Sequence, residues 1–176
     1  MLRFFKFSFL LTVFFSLFIQ ISAQNQTLKD LLESAGVNER AGNYARAVED
    51  YEALARLKPT AVIYHVKLAE NYLRLERDSE AIAAARKAIE LEPKNSFAHF
   101  FVGKVFFELG QHEEAAQSFQ KAIELDSKFA EAFFYLGASE ARRGKSENAI
   151  AALRQAIALA PDSFNYYIQL GEVLNE

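Results

Sequence analysis

The sequence contains no cysteine, and this absence excludes several kinds of site at once. Without a thiol the chain can form no disulfide and offers no thiolate to a metal ion. It also has no cysteine that could receive a lipid after signal cleavage. Runs of basic residues are missing too, and the net charge is −3. A mildly acidic chain without basic clusters is a poor candidate for binding nucleic acid or an anionic membrane surface.

The first 23 residues lack acidic side chains and hold seven of the 17 phenylalanines. Arg3 and Lys6 form a basic start, residues 7–19 an uncharged apolar run, and residues 21–23 (ISA) a small-residue cleavage site. This pattern is typical of a secretory signal peptide, so we predict an exported protein, periplasmic or secreted. The alternative is an uncleaved membrane anchor at residues 7–23, whose length is near the lower limit of about 17 residues for a spanning helix.

A motif recurs along the rest of the chain every 34 residues. KAIELEP at residues 87–93 returns as KAIELDS at 121–127 and as QAIALAP at 155–161. A fixed period of this size is the signature of a repeat array. The predicted divisions are a linker at 24–27, repeats at 28–61, 62–95, 96–129 and 130–163, and a remnant at 164–176.

Each window carries two apolar stripes of helical spacing. In the second window the first stripe consists of His65, Leu68, Ala69 and Tyr72. Spacings of three and four residues place such a set on one face of a helix. We therefore predict that each window is a short-linked antiparallel helix hairpin. The predicted turns lie at Gly42-Asn43, Arg77-Asp78, Gly110-Gln111 and Arg143-Gly144.

Alanine, proline and capping residues recur in the same register. Ala47, Ala81, Ala115 and Ala149 stand one period apart, where the two helices of a hairpin must approach closely. Proline lacks an amide hydrogen and disfavours helix in the residue before it, so each proline marks the end of a second helix. These prolines are Pro59, Pro93 and Pro161. The predicted caps of the following helices are Thr60, Asn95, Ser127 and Ser163.

This pattern resembles the tetratricopeptide repeat family, which reads Trp-x-x-Leu-Gly-x-x-Tyr, then Ala-x-x-x-Phe, then Pro. The third window matches with His99, Val102, Gly103, Phe106, Ala115 and Phe119. The fourth matches with Phe133, Leu136, Gly137, Ala149, Leu153 and Pro161, and Glu140 departs from the aromatic position. The resemblance implies an all-α fold, a right-handed α-solenoid of four helix-turn-helix repeats plus a terminal helix. Stacking is required because one hairpin cannot bury its own apolar face.

The resemblance also implies that the first helix of each repeat lines a concave groove. The first helices of the third and fourth windows carry more aromatic residues than one buried stripe requires. The candidate groove residues are Lys67, Arg74, Phe97, Phe100, Phe101, Lys104, Phe107, Phe134, Tyr135 and Arg142. Two interpretations of the surplus rings stay open: they pack against each other inside the stack, or they form an apolar patch that binds a peptide. The cations would form a rim that orients an acidic ligand, although acidic residues are interspersed with them.

No motif predicts catalysis, a cofactor or a metal site. Gly144-Lys145-Ser146 resembles the end of a phosphate-binding loop, but Ser139 stands where that loop requires a glycine. His65 and His99 occupy one core position in successive repeats and lack a second pair of ligands, so we expect packed histidines. The sequence therefore predicts a non-enzymatic protein without cofactor or metal.

Residues 164–176 begin a fifth repeat and contain only its first helix. The pattern that receives a partner helix is present at Tyr167, Leu170, Gly171 and Leu174. Four explanations stay open: self-association through residues 164–176, contact with another protein, a longer array, and simple capping. The leading hypothesis is a scaffold that binds a peptide segment of a partner protein in the groove. Contact with a membrane is expected only through an uncleaved N-terminal segment. The alternative is a regulatory or anchoring domain of a larger envelope enzyme or secretion or assembly machine.

Overall fold

The computed structural model describes the backbone of residues 2–175 and the side chains of residues 20–175. These residues form nine α-helices and no strand, so the predicted all-α fold class is confirmed. They divide into two compact units, Met1–Pro59 and Thr60–Glu176. The helices are α1 (Leu2–Arg40), α2 (Tyr44–Leu57), α3 (Val62–Arg74), α4 (Asp78–Leu91), α5 (Ser96–Glu108), α6 (His112–Leu125), α7 (Ala130–Arg142), α8 (Ser146–Leu159) and α9 (Phe164–Leu174).

The first unit is the hairpin of α1 and α2. Ser34 on α1 donates a hydrogen bond from Oγ to Oδ2 of Asp50 on α2 at 2.7 Å. Asn38 donates from Nδ2 to the same oxygen at 2.9 Å. One carboxylate thus joins the two helices, next to Ala47, whose side chain is fully buried.

Most of the predicted signal peptide, residues 1–23, lies outside the residues whose side chains the structure describes. Residues 24–27, which we expected to form a linker, lie within α1. Among the described residues, no helix combines the length and the apolar character needed to cross a membrane. Signal cleavage, the alternative anchor at residues 7–23 and export stay predictions.

The second unit stacks three hairpins and a terminal helix. α3 pairs with α4, α5 with α6, and α7 with α8. The second helix of each hairpin also packs on the first helix of the next, and α8 packs on α9 in the same way. Successive first helices touch as well, α3 with α5, α5 with α7 and α7 with α9. The first helices of this unit therefore form a row along the stack.

Two glycines explain how closely the helices of a hairpin approach. A Cβ added at Gly103 would lie 2.7 Å from the ring of Phe119, and one at Gly137 would lie 2.7 Å from Cγ of Leu153. Glycine is required at both positions because the large side chain of the second helix reaches the backbone of the first. On the second helices, the alanines that stand one period apart are fully buried, namely Ala81, Ala115 and Ala149.

Each hairpin turn contains a residue in the left-handed backbone region. Gly110 and Gly144 adopt it with φ of 72° each. In the second repeat the residue at this register is Glu76, with φ of 57°. The turn predicted at Arg77-Asp78 is therefore misplaced, since Asp78 already begins α4. A side chain costs energy in this region because Cβ approaches the following carbonyl oxygen, so sequence preference alone does not indicate a turn at a glutamate.

The predicted helix caps are only partly confirmed. Asn95 is the N-cap of α5, and its side chain accepts a hydrogen bond of 3.2 Å from a backbone N–H in the first turn. Ser163 is the N-cap residue of α9, but its side chain makes no cap hydrogen bond. The caps predicted at Thr60 and Ser127 are wrong, because the N-cap of α3 lies one residue after Thr60 and that of α7 lies two residues after Ser127.

Candidate functional site

Phe100 on α5 is the centre of an aromatic network in the second unit. Its ring centroid lies 4.7 Å from that of Phe129 and 5.5 Å from that of Phe101. It lies 5.7 Å from Tyr135 on α7 and 5.8 Å from Phe119 on α6. Rings at such separations in tilted or edge-on arrangements stabilise one another beyond their apolar burial. The third and fourth repeats are thus joined through one buried ring.

The network continues from Tyr135 along the row of first helices. Tyr135 lies 5.2 Å from Phe134, and Phe134 stacks on Tyr166 of α9 at 4.8 Å. On the other side Tyr135 lies 5.8 Å from Phe107, which contacts the ring of His112 at 5.3 Å. The rings of α5, α7 and α9 therefore form one continuous network of contacts.

The surplus aromatic residues differ in exposure. The Phe100 side chain is 5% exposed, so a ligand would meet it only through its neighbours. Phe97 is 58% exposed, although its ring lies 5.0 Å from Phe129. The remaining rings are half-buried, namely Phe101, Phe107, Phe134 and Tyr135. The rings pack against each other, as the first interpretation holds, and all of them except Phe100 are at least partly exposed, as the second requires.

The outward face of α5 combines aromatic rings with a positive charge. Phe97, Phe101 and Lys104 are spaced by four and three residues and therefore share one helix face. The Nζ atom of Lys104 lies 5.5 Å from the centroid of Phe101 and 6.0 Å from that of Phe100. A cation held at this distance from a ring is attracted by about 0.5–1 kcal/mol at an exposed site. The ammonium group is thus positioned beside the half-buried ring of Phe101 and the buried ring of Phe100.

The other candidate cations lie in different surroundings. Nζ of Lys67 on α3 lies 2.9 Å from Oε2 of Glu70, so this charge is already balanced by a neighbouring carboxylate. Arg74 and Arg142 are exposed and form the last residues of α3 and α7. A positive charge there also stabilises the helix dipole. Lys104 is the candidate cation that lies beside Phe100 and Phe101.

Two tyrosines of the network have perturbed acidity. Burial raises the pKa of Tyr135, and the nearby carboxylates of Glu108 and Glu131 raise it further. Burial also raises the pKa of Tyr166, followed by the charge of Glu131. In both cases a buried phenolate beside negative charges is disfavoured. The two hydroxyls therefore remain neutral at physiological pH and can donate hydrogen bonds.

The residue that departs from the repeat pattern belongs to a buried ion pair. Glu140 stands where Tyr72 and Phe106 stand in the preceding repeats, and it is 8% exposed. Nη1 of Arg143 donates to Oε1 of Glu140 at 2.7 Å, and Nη2 contacts Glu113 on α6. The arginine therefore bridges the third and fourth repeats where an aromatic ring is expected.

Phe129 belongs to the aromatic network but was not among the candidates. It is the N-cap residue of α7 and is 9% exposed, between the rings of Phe97 and Phe100. An apolar residue at a position where capping side chains are favoured is a signal that could have identified it. The packed histidine predicted at His99 is 9% exposed, with Nε2 2.9 Å from the carbonyl oxygen of Pro93.

Comparison with known families gives consistent matches. The family described as TPR repeat matches residues 103–142 and 139–176, and the family described as Tetratricopeptide repeat matches residues 39–96. No curated protein matches the chain significantly in sequence.

Solved structures share the architecture at low sequence identity. The crystal structure of MamA protein has a TM-score of 0.71 and 22% identity, covering 86% of this chain and 82% of that chain. A thermophilic TPR protein in Thermus thermophilus has a TM-score of 0.74 and 21% identity, covering 85% and 82%. YrrB, described as a TPR protein with an unusual peptide-binding site, has a TM-score of 0.63 and 22% identity, covering 80% and 73%.

The helical hairpins and their row of first helices define a protein of the α-solenoid class. The structural likenesses support this fold alone, because their sequence identities are low. The family matches extend over residues 39–96 and 103–176, which is most of the chain. The chain belongs to the tetratricopeptide repeat family.

Proposed function

We propose that the chain is a non-enzymatic interaction scaffold that binds a peptide segment of a partner protein along the first helices of its second unit. Proteins of this repeat family commonly act as such scaffolds, and the description of YrrB names a peptide-binding site. The observation that carries the proposal is the Phe97 side chain, 58% exposed and one helical turn from Phe101. An exposed apolar patch that adjoins half-buried rings is typical of a binding surface.

The surface selects a ligand with two kinds of side chain. Phe97 and Phe101 offer rigid apolar area, which favours an aliphatic or aromatic side chain of the peptide. Lys104 beside them favours a carboxylate one or two residues away, because complementary charge steers and orients a partner. Tyr135 on the adjacent first helix adds a neutral hydroxyl donor. The proposed ligand is therefore a peptide with an acidic residue next to an apolar one.

Selection from a displayed library of short random peptides tests this function. We expect the full chain to enrich peptides that combine an acidic with an apolar residue. The Phe97→Ala and Lys104→Ala variants should bind them at least about tenfold more weakly, because anchoring side chains carry most of the binding energy. Leu159→Ala is the matched control, since Leu159 is an exposed apolar residue on α8, outside the row of first helices. Unchanged binding by Phe97→Ala would refute the proposal.

We also propose that the chain acts outside the cytoplasm, in the periplasm or the secreted space. The support is the N-terminal pattern of a basic start, an apolar run and a small-residue site. N-terminal sequencing of the protein recovered from each cell fraction tests it. A new N-terminus near residue 24 in the exported fraction is expected, and an intact cytoplasmic chain would contradict export.

A second candidate function is a regulatory or anchoring domain of a larger envelope enzyme or secretion or assembly machine. It is favoured by α9, on which Phe164 and Leu174 are 75% and 57% exposed. Size-exclusion chromatography of the affinity-purified native protein distinguishes the two functions. Co-elution with one enzyme at constant stoichiometry supports the anchoring function.

A further inference from the structure

The terminal helix α9 has two apolar faces. Its inner face holds Tyr166 and Val173, which are 5% and 4% exposed. Val173 packs with Ala149 and Leu153 of α8 in one core cluster. The outer face carries large apolar side chains that are 46% to 75% exposed, namely Phe164, Tyr167, Ile168 and Leu174. Phe164 is three and four residues from Tyr167 and Ile168, and Leu174 follows Tyr167 by seven residues, or two helical turns. The four side chains therefore form one stripe, which we call the α9 outer face.

Gly171 lies within this stripe, at the register of Gly103 and Gly137. A Cβ added at Gly103 or Gly137 would lie 2.7 Å from a large apolar side chain of the next helix, Phe119 or Leu153. A Cβ added at Gly171 would meet no atom of the described residues within 4 Å. The backbone of α9 is therefore bare at the register where two earlier copies receive a side chain.

The two internal copies show which helix fits this surface. In α6 the covering residue Phe119 stands between Ala115 and Ala122, and in α8 Leu153 stands in the same way between two alanines. All of these side chains are fully buried. Small residues one turn on either side let the helices approach until the large side chain reaches the glycine. The matching occupant is an amphipathic helix with the pattern Ala-x-x-x-Phe/Leu-x-x-Ala.

The charge around the α9 outer face narrows the choice of occupant. The charged residues of the segment 160–175, which contains α9, are Asp162 and Glu172, and both are exposed and acidic. A second copy docked through the same face would bring these like charges together. A helix flanked by lysine or arginine would instead be attracted, because complementary charge favours association and like charge opposes it.

We propose that the α9 outer face binds an amphipathic helix of another protein, with a phenylalanine or leucine that packs on Gly171 and basic residues at its flanks. The helix docks antiparallel to α9, as α6 does on α5 and α8 does on α7. Its large side chain lies between Tyr167 and Leu174. This binding site is separate from the proposed peptide surface on α5 and α7, so either proposal can fail without the other.

A synthetic helix derived from this chain is a direct probe. The peptide of residues 145–160 contains the α8 sequence, with Leu153 between its two alanines and Lys145 and Arg154 as basic residues. A hydrocarbon staple between positions 151 and 155, both exposed in the chain, keeps it helical. We expect saturable binding of the labelled peptide to the full chain by fluorescence anisotropy. A Leu153→Ala peptide should bind at least about tenfold more weakly, because it lacks the anchoring side chain.

The Gly171→Ala variant of the full chain is the decisive test. The added Cβ contacts none of the residues that the structure describes, so the melting temperature of the variant should not fall. The same Cβ occupies the space where the docked side chain would lie. It should bind the stapled peptide at least about tenfold more weakly, while Phe97→Ala binds it like wild type. Absence of binding by wild type, or equal binding by Gly171→Ala, would overturn the proposal. Dimerisation of wild type that Gly171→Ala abolishes in analytical ultracentrifugation would overturn it too, since the occupant would then be a second copy.

Discussion

The ring of Phe119 lies against the backbone of Gly103, so close that a Cβ at the glycine would be 2.7 Å from Cε1 of the ring. Phe119 is fully buried by this contact and by its neighbours in the aromatic network. Leu153 lies on Gly137 in the same way in the next repeat. The hairpin therefore depends on the glycine, and the side chain that covers it can be aromatic or aliphatic.

Replacing this glycine should destabilise the chain even though alanine favours helix. The added methyl group would clash with the Phe119 ring, and overpacking of a core costs about 1–3 kcal/mol. The higher helix propensity of alanine offsets roughly 1 kcal/mol of this cost, so the expected net loss for Gly103→Ala is up to about 2 kcal/mol. Urea denaturation measures it. The control is Gly171→Ala, which should raise the free energy of unfolding by about 0.5–1 kcal/mol; an equal loss in both variants would show that the clash is not the cause.

The second repeat should gain stability from a glycine at its turn. Glu76 has φ of 57°, the region that its counterparts Gly110 and Gly144 adopt without a side chain. Relief of this backbone strain predicts that Glu76→Gly raises the free energy of unfolding by roughly 1 kcal/mol. Glu76→Ala removes the same carboxylate but keeps a Cβ, so it should show no comparable gain in chemical denaturation. If both variants gain equally, the carboxylate and not the backbone is the source.

The arginine bridge between the third and fourth repeats should matter more than a surface ion pair. Arg143→Ala leaves the Glu140 carboxylate, 8% exposed, without its cation, and breaking a buried pair on one side costs roughly 3 kcal/mol. The double variant Glu140→Leu/Arg143→Ala removes the stranded charge and should recover most of that loss. Thermal denaturation compares the two. A double variant as unstable as Arg143→Ala would contradict the account of Glu140 as a paired replacement for an aromatic ring.

The neutral form of Tyr135 should contribute to the free energy of unfolding, and this contribution should be lost at alkaline pH. Its pKa is raised above the ordinary value of 10.0, first by burial and then by Glu108 and Glu131. The folded state therefore holds the proton more tightly than the unfolded state. The contribution is fully present below pH 10 and is lost as the pH rises through the folded pKa. Phenolate absorbance should show a late-ionising phase that shrinks in Tyr135→Phe and in Tyr166→Phe, whose pKa is also raised. A late phase unchanged in both variants would contradict the shifts.

The repeat architecture could be predicted from the sequence because it rests on local and periodic signals. Small residues, turn residues and prolines recur in one register, and each constrains backbone conformation within a few residues. The recurrence of Ala81, Ala115 and Ala149 at one-period intervals was enough to predict where the two helices of each hairpin approach closely. The turn at Glu76 escaped prediction because it needs the left-handed backbone conformation, which a side chain disfavours.

The candidate surface was less predictable because exposure depends on contacts between repeats. Phe97 and Phe100 are the same residue type on the same helix, yet one is 58% and the other 5% exposed. Phe119 on α6 and Tyr135 on α7 pack against Phe100, whereas Phe129 contacts both Phe97 and Phe100. No pattern within α5 contains that information.

Site-specific photocrosslinking tests the central claim, that a partner peptide lies along the first helices of the second unit. A photoreactive phenylalanine analogue at position 97 replaces a ring that is already exposed, and the same analogue at position 159 samples an exposed site on α8. The account predicts that the analogue at position 97 crosslinks to a library-selected peptide that combines an acidic with an apolar residue. The analogue at position 159 should give no crosslink to this peptide. Crosslinking from position 159 alone would place the partner on the other side of the stack and contradict it.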